Sequence, residues 1–379
     1  MRELGLYIHI PFCKERCHYC DFLSFSHVDH KIDEYVCALI EEISMAGRAY
    51  GDRLVTSIYF GGGSPSYLKL GYLTRIMNAI EREFSLDDKN EMEISIEINP
   101  NTLNGDKIEE YKRLGINRIS LAVQTFSDEK LKLLGRDHTR DVIFRDYKAL
   151  REKGFDNISL DLIMALPSQD LEDIKVDLDL IKELNPDHIS YYSLILEERT
   201  RFKIWYEENK LDLPDEDLER DMYHFAVSYL KEMGYERYEI SNFAKRGFES
   251  RHNLIYWKRG DYLGLGLGSH SFVDGYRFEN KRSFSGYILD IGRGELPNIN
   301  KVFIGEDEAL EEVLLLNLRL REGLDIEEID KTYKMDFMTS RKKKIQNLEK
   351  EGLIYIENKK LKLTDLGFDL QNHVVEGLL

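Results

Sequence analysis

The first half of the chain repeats one pattern: a short β-branched or aromatic run, a polar or glycine-rich turn, then a longer stretch with apolar residues at helical spacing. Six runs predict strands, at Gly5 to Ile10, Val55 to Phe60, Met92 to Ile98, Asn117 to Val123, Asn157 to Ile163 and His188 to Leu194. Between them, Asp33 to Ala49, Leu70 to Glu83, Arg140 to Lys153 and Leu171 to Leu184 carry helical periodicity. The last of these stops before Asn185-Pro186, as the steric demand of proline on its predecessor requires. Alternating strands and helices imply right-handed crossovers and a parallel sheet covered on its outside, and six units are too few for a closed eight-unit barrel. The pattern therefore predicts an α/β fold built on a partial (β/α)6 barrel over residues 1–234, with chemistry at the carboxyl ends of the strands.

Across residues 235–304 the helical period disappears and the chain becomes aromatic and glycine-rich, which predicts an extension of irregular and antiparallel structure on the barrel. Across residues 305–379, "EALEEVLLLNLRL", "DIEEIDKTY" and "TSRKKKIQNLEKEGLIYIENKKLKLTDLG" predict helices followed by a hairpin turning near Asn358, a small winged-helix-like module. Its acidic, aliphatic character favours a packing or partner surface over DNA binding.

Composition narrows the function. With 379 residues and 42% hydrophobic content the chain buries a real core. Its 53 Lys and Arg against 70 Asp and Glu give a formal charge of −17, a field that repels polyanions, so no nucleic-acid partner is expected. The basic run Arg341 to Lys344 reads as a solvated helix face. The opening MRELGLYIHI lacks the features of a leader, and no segment reaches about 18 uninterrupted apolar residues, so a cytoplasmic protein without an integral membrane segment is expected.

Such a compartment keeps thiols reduced, and three of the four cysteines fall within eight positions of "YIHIPFCKERCHYCDF". Cys13, Cys17 and Cys20 are spaced C-x3-C-x2-C in the loop after the first predicted strand. A tetrahedral zinc site would need a fourth ligand; His18 is poorly placed to close it, and Cys37, on the apolar helical face of "YVCALIEEI", is expected to be a buried core thiol. Three thiolates suit an iron-sulfur cubane whose remaining iron is open to a small molecule. Further polar features fall at successive strand ends: Gly61, Gly62 and Gly63 in "YFGGGSPS", Glu97 in "SIEINP", Gln124 in "SLAVQTF" and Asp161 in "ISLDLIMALP", with Arg136 in "LLGRDHT". Glycines there let backbone approach a ligand closely.

The cysteine spacing, with Tyr19 before the last cysteine, resembles the signature of the radical S-adenosylmethionine (SAM) superfamily. That resemblance implies a 4Fe-4S cluster on Cys13, Cys17 and Cys20, whose open iron is chelated by the amino and carboxylate groups of SAM, and a 5′-deoxyadenosyl radical on reduction. The set "YIHIPFC", "GGGSPS", "SIEINP", "VQTF", "LGRDH" and "DLIMALPSQ" resembles, over nearly the whole chain, the oxygen-independent coproporphyrinogen III oxidase group, HemN and its relative HemW. By this resemblance Tyr7, Gly62, Gly63, Ser64, Glu97, Gln124, Arg136 and Asp161 line the SAM site, Tyr19 stands beside the cluster, and the last module is a HemN C-terminal domain. HemN resembles C-x3-C-x2-C-x-C with a longer N-terminal segment; here Phe22 takes the position of the additional cysteine and six residues precede Tyr7. Both departures match HemW, the haem chaperones. The resemblance then implies haem as ligand, haem-acceptor proteins as partners, and a flavodoxin or ferredoxin-type reductant. The alternative is an oxidase that decarboxylates propionate side chains of coproporphyrinogen III. "SRHNLIYWKRG" resembles the H-N-x-x-Y-W segment of HemW, and two readings of His252 stand side by side: a haem contact, or a hydrogen-bonded imidazole inside a packed aromatic loop.

Overall fold

The protein is described by a computed structural model covering residues 2–88 and 91–379. Its main sheet begins with β1 (Glu3–Ile10) and β2 (Leu54–Gly62), with the two-residue β3 (Ser85–Leu86) on the flank of β2. It continues through β4 (Glu93–Ile98), β5 (Arg118–Gln124), β6 (Ile158–Met164) and β7 (His188–Ser193). Strands β1, β2, β4, β5, β6 and β7 are neighbours in that order and all parallel, matching the six predicted strands to within about two residues at each end. The intervening helices also fall where expected, and Leu171–Leu184 does so to the residue. A capping box joins Asp170 to Asp173 at its start, and Asn185 in the left-handed conformation (φ 51°) ends it ahead of Pro186.

Strand composition explains the curved, half-polar sheet. Outward positions such as Ile58, Phe60, Ile94, Ile96, Ile119, Leu121, Ile158 and Leu160 are essentially fully buried under the helices. Inward positions alternate with them and are polar: Ser57 and Tyr59 on β2, Glu93, Ser95 and Glu97 on β4, Arg118 and Ser120 on β5, Ser159 and Asp161 on β6, His188 and Ser190 on β7. With a period of two, one face of each strand closes the core and the other lines a polar bore.

The extension adds strands rather than a separate layer. β8 (Glu236–Glu239) and β9 (Asn242–Ala244) join antiparallel beyond β7. At the other edge β10 (Tyr262–Leu265) joins β1 in parallel, a seventh parallel strand, followed by antiparallel β11 (His270–Val273), β12 (Tyr276–Asn280) and β13 (Asn298–Phe303). The sheet stays open, ending at β13 and β8. Two helices, Arg251–Trp257 and Phe284–Gly292, also lie where a loss of helical period was read; at seven and nine residues they are too short to display one.

A second core, around Leu314, Ile329, Phe337, Leu348 and Val374, belongs to the C-terminal module. It contains β14 (Leu324–Asp325), β15 (Ile354–Glu357) and β16 (Lys360–Leu363), the last two forming the expected hairpin with positive φ at both Asn358 and Lys359. Two short helices, Asp365–Asp369 and Gln371–Leu378, follow it. Among the described residues no helix is long and apolar enough to cross a membrane.

One expectation is overturned. Cys37 is exposed, not buried: on the helix Ile32–Tyr50 the core-facing positions are Tyr35, Val36, Ala38 and Leu39, and Cys37 falls on the outer stripe. There its sulfur accepts a hydrogen bond from Arg75 Nη2 at 3.1 Å.

Candidate functional site

The carboxyl ends of the parallel strands open into a cleft of about 320 Å³. One wall is the loop that follows β1. The Cys13 amide donates to Phe25 O (3.0 Å) and the Phe25 amide to Pro11 O (2.8 Å), so the loop folds back on its own stem, with Phe12 buried edge-on against Tyr35. Farther along, the His18 amide donates to Leu134 O and His18 O accepts from the Phe202 amide, both at 3.0 Å. The loop is thereby clamped between the segment after β5 and the helix Arg201–Glu207.

Cys13, Cys17 and Cys20 all line the cleft. Burial pushes the Cys13 thiol up to about 12 and also raises that of Cys20, so the ligand-free loop holds thiols whose protons a metal displaces on binding. Among the described residues no three Cys, His, Asp or Glu side chains close around a single-ion point. Three thiols from one loop, lining one cleft, would suit an iron-sulfur cluster.

The glycine run completes that wall. A Cβ on Gly63 would lie 3.0 Å from Cys13 Sγ and from Ile10 O, and one on Gly62, at φ +111°, would lie 2.6 Å from the His9 ring. Backbone here comes as close to the thiols as a side-chain-free residue allows. His9 is a site-shaping residue that sequence reasoning passed over. Its Nε2–H donates to Leu23 O (2.8 Å), anchoring the far end of the cysteine loop, and its Nδ1 accepts from the Tyr7 hydroxyl (3.1 Å). Burial holds His9 down at about 4, so it works as a neutral imidazole.

Opposite the thiols stands a set of polar groups. Glu97 accepts from the Tyr59 hydroxyl at 3.0 Å and from the Gly62 amide at 3.2 Å. Burial, with Asp161 nearby, raises it to about 7. Asp161 accepts from Ser120 Oγ (2.6 Å) and Ser159 Oγ (3.1 Å), and burial raises it as well. Gln124 adopts φ +67°, and its Oε1 accepts from Tyr192 at 3.4 Å. Arg136 donates to Asn99 Oδ1 (2.8 Å) and to the Tyr19 hydroxyl (2.6 Å), and Asn99 in turn donates to Ser64 Oγ (2.9 Å). A chain Ser64–Asn99–Arg136–Tyr19 thus spans the cleft from the end of β2 to the cysteine loop. The buried Arg136 Nε has no partner.

All three cysteines, Tyr19, Gly62, Gly63, Ser64, Glu97, Gln124, Arg136 and Asp161 therefore share one cleft. Tyr7 stands at its border, its ring stacked on Tyr59 and its hydroxyl committed to His9. His252 is not brought into the cleft. It is 1% exposed beneath Tyr59, with Nδ1 on Ser57 Oγ (2.8 Å) and Nε2 on the Tyr256 hydroxyl (2.7 Å). In the structure the ring is a hydrogen-bonded imidazole inside a packed aromatic cluster. Phe22, 63% exposed, lies at the cleft rim. Sequence reasoning also missed Tyr59, Asn99 and the serines of the bore. The signal for the serines was present as repeated Ile-Ser steps in "EISIEI", "RISLAV", "NISLDL" and "HISYY".

Comparison with known proteins agrees with this geometry. The radical SAM superfamily is matched over residues 7–181 and the HemN C-terminal domain over residues 304–370. The chain is 36% identical to the haem chaperone HemW of Lactococcus lactis over 373 residues, covering 98% of this chain and 96% of that protein. It is 39% identical to HemW of Escherichia coli over 278 residues, 72% of this chain and 71% of that protein. Among solved structures, the coproporphyrinogen III oxidase HemN of Escherichia coli, a radical SAM enzyme, superposes with a TM-score of 0.86 at 26% identity, covering 100% of this chain and 90% of that one.

Proposed function

Because the chain belongs to the HemW haem-chaperone family of the radical SAM superfamily, we propose that it is a cytoplasmic protein that carries a 4Fe-4S cluster on Cys13, Cys17 and Cys20, binds SAM beside it, and binds haem for delivery to haem-requiring acceptor proteins. The observation that carries the cofactor reading is the convergence on one cleft of three thiols, a glycine-shaped wall and a set of buried polar groups. When bound, the cluster and SAM together supply one-electron chemistry at a sulfonium, with the electron drawn from a flavodoxin or ferredoxin-type donor.

The residues present suit that pair. An ionised Glu97, with the backbone of Gly62 and Gly63, would receive an ammonium group. Arg136, held in the cleft by Asn99 and Tyr19, would pair with a carboxylate. Asp161 and Gln124 offer acceptors to hydroxyls, and Ser64 fixes Asn99. His9 ties Tyr7 to the cysteine loop.

For the overall activity, whole-length relatedness to haem chaperones at 36% identity outweighs the resemblance in fold to the oxidase at 26%. The test is anaerobic and two-sided. Cluster-loaded protein is charged with haem and mixed with a haem-free acceptor enzyme, and a parallel sample with reductant, SAM and coproporphyrinogen III is followed for decarboxylated product. Haem appearing in the acceptor, without decarboxylation, is expected. Multiple-turnover decarboxylation without haem transfer would make the protein an oxidase.

A further inference from the structure

The segment that closes the lower end of the bore, the helix Arg251–Trp257, is built into the same two strands that present the cleft carboxylate. On β2, Ser57 holds His252 Nδ1, while two residues later Tyr59 donates to Glu97. On β4, Glu93 accepts from the backbone amides of Arg251 (2.8 Å) and His252 (3.2 Å), while four residues later Glu97 faces the cleft. Helix and carboxylate are thus two ends of one strand pair.

Between them lies a stack of three rings. The Tyr59 ring stacks with Tyr7 (6.2 Å between centroids, 24° between planes) and with His252 (5.2 Å, 27°). Tyr59 makes a single side-chain hydrogen bond, to Glu97, so its direction is set by these two rings. His252 is the pinned one, held by Ser57 in front and by Tyr256, one turn along its own helix, behind. Tyr256 also meets the imidazole edge-on, at 5.0 Å and 86°. An axial ligand of haem needs an accessible nitrogen lone pair, whereas this imidazole is buried and spent at both nitrogens.

We infer that His252 is a positioning residue of the cleft: it holds the Tyr59 ring so that the hydroxyl stays aimed at Glu97, and it does not ligate haem in this fold. The inference rests on the reading that the cleft binds SAM. The groups facing Glu97 are Tyr7, Tyr59, Tyr192, Tyr256, Asp161 and Arg118. Of these, Tyr59 donates to it directly, and that bond favours the ionised carboxylate.

The experiment compares wild-type, His252→Ala and His252→Phe proteins after cluster reconstitution, measuring SAM affinity by equilibrium dialysis from pH 6 to 8.5 and haem binding by Soret titration. In His252→Ala the cushion under Tyr59 is gone. SAM binding should weaken about tenfold at neutral pH, the scale of one hydrogen bond to a charged group, and its pH midpoint should move upward. His252→Phe keeps a flat ring under Tyr59 and should restore most of the affinity and the wild-type midpoint. Haem titrations should be the same in all three. SAM affinity and midpoint unchanged in both variants would overturn the positioning role, and loss of the Soret complex in both with SAM binding intact would make His252 a haem ligand. Wild-type protein that binds no SAM would instead overturn the cleft reading on which the inference rests, and the affinity comparison keeps that failure separate from the other two. If His252→Ala does not fold, His252→Leu, similar in bulk but without a flat ring, takes its place in the SAM comparison with the same expected loss, and His252→Phe decides haem ligation, since phenylalanine cannot ligate iron.

Discussion

The bore of the barrel is polar at its mouth and at its floor, yet the two ends treat that polarity differently. At the floor the hydrogen-bonding capacity is largely closed: His188 sits between Ser159 Oγ and the Tyr238 hydroxyl, His252 between Ser57 and Tyr256, and Glu93 gathers Ser95 and two backbone amides. Arg118 Nε deep in the bore, Asn157 Oδ1 just before β6 and Trp257 Nε1 on the closing helix are exceptions. At the mouth, groups of the same chemical types are left open. Arg136 keeps a buried donor and Asn242 a buried acceptor without partner, and three thiols line a cleft that a small organic molecule fits. A saturated buried polar group stabilises one conformation; an unsaturated one beside open space waits for a ligand. Residue type alone would have ranked His252 with Arg136.

Perturbing each end separately sharpens that contrast. Replacing Cys13, Cys17 and Cys20 together by alanine should have the largest effect, bringing iron and sulfide after anaerobic reconstitution down to background, while circular dichroism of the protein stays native. Glu97→Gln comes next. Losing one charge-assisted contact of about 1.5–3 kcal/mol should weaken SAM binding by roughly ten- to a hundredfold in dialysis.

The same carboxylate sets a pH dependence. Because burial raises Glu97 to about 7, its ionised form grows as pH climbs through neutrality, so wild-type affinity for SAM should tighten from pH 6 to 8 and the Gln variant should lose that slope. For the ligand-free fold the sign is opposite. A raised carboxyl contributes stability that is present below its ordinary value of 4.5 and is lost as pH rises to about 7; because Glu42 and Asp177 are raised to about 7 as well, the Gln variant should show a smaller loss in urea unfolding rather than none.

At the floor, His188→Ala removes a fully buried ring and two hydrogen bonds and should cost about 2–4 kcal/mol in urea unfolding. Its affinity for SAM should change less than threefold, and a larger loss of affinity than of stability would blur the distinction between the ends. Smallest of all, Phe22→Ser at the exposed rim should leave stability within about 0.5 kcal/mol and the cluster content unchanged.

Much of this fold was legible because its strands and helices are strongly periodic. Six parallel strands could be read from short apolar runs, the stop of one helix from Asn185-Pro186, and the hairpin turn from its polar residues near Asn358. The site was legible as positions, since glycines and charged residues interrupt apolar strands where a barrel mouth must lie. What escaped reading depended on phase or on distant partners. Cys37 sits amid apolar letters, yet its angular position on the helix faces Arg75 and solvent. Strand β10 is four residues long and pairs with β1 across more than two hundred residues, a partnership no local pattern records. His9 and Tyr59 read as ordinary strand residues, and their value comes from what stands beside them: the bare backbone of Gly62 and the carboxylate of Glu97.

The most direct measurement is the electron paramagnetic resonance spectrum of the reconstituted, reduced protein before and after SAM is added. A 4Fe-4S signal whose g-values shift with SAM, in the wild type but not in Glu97→Gln at the same SAM concentration, is the result expected if the mouth of the barrel is the cofactor site. A cluster signal that ignores SAM altogether would contradict that account.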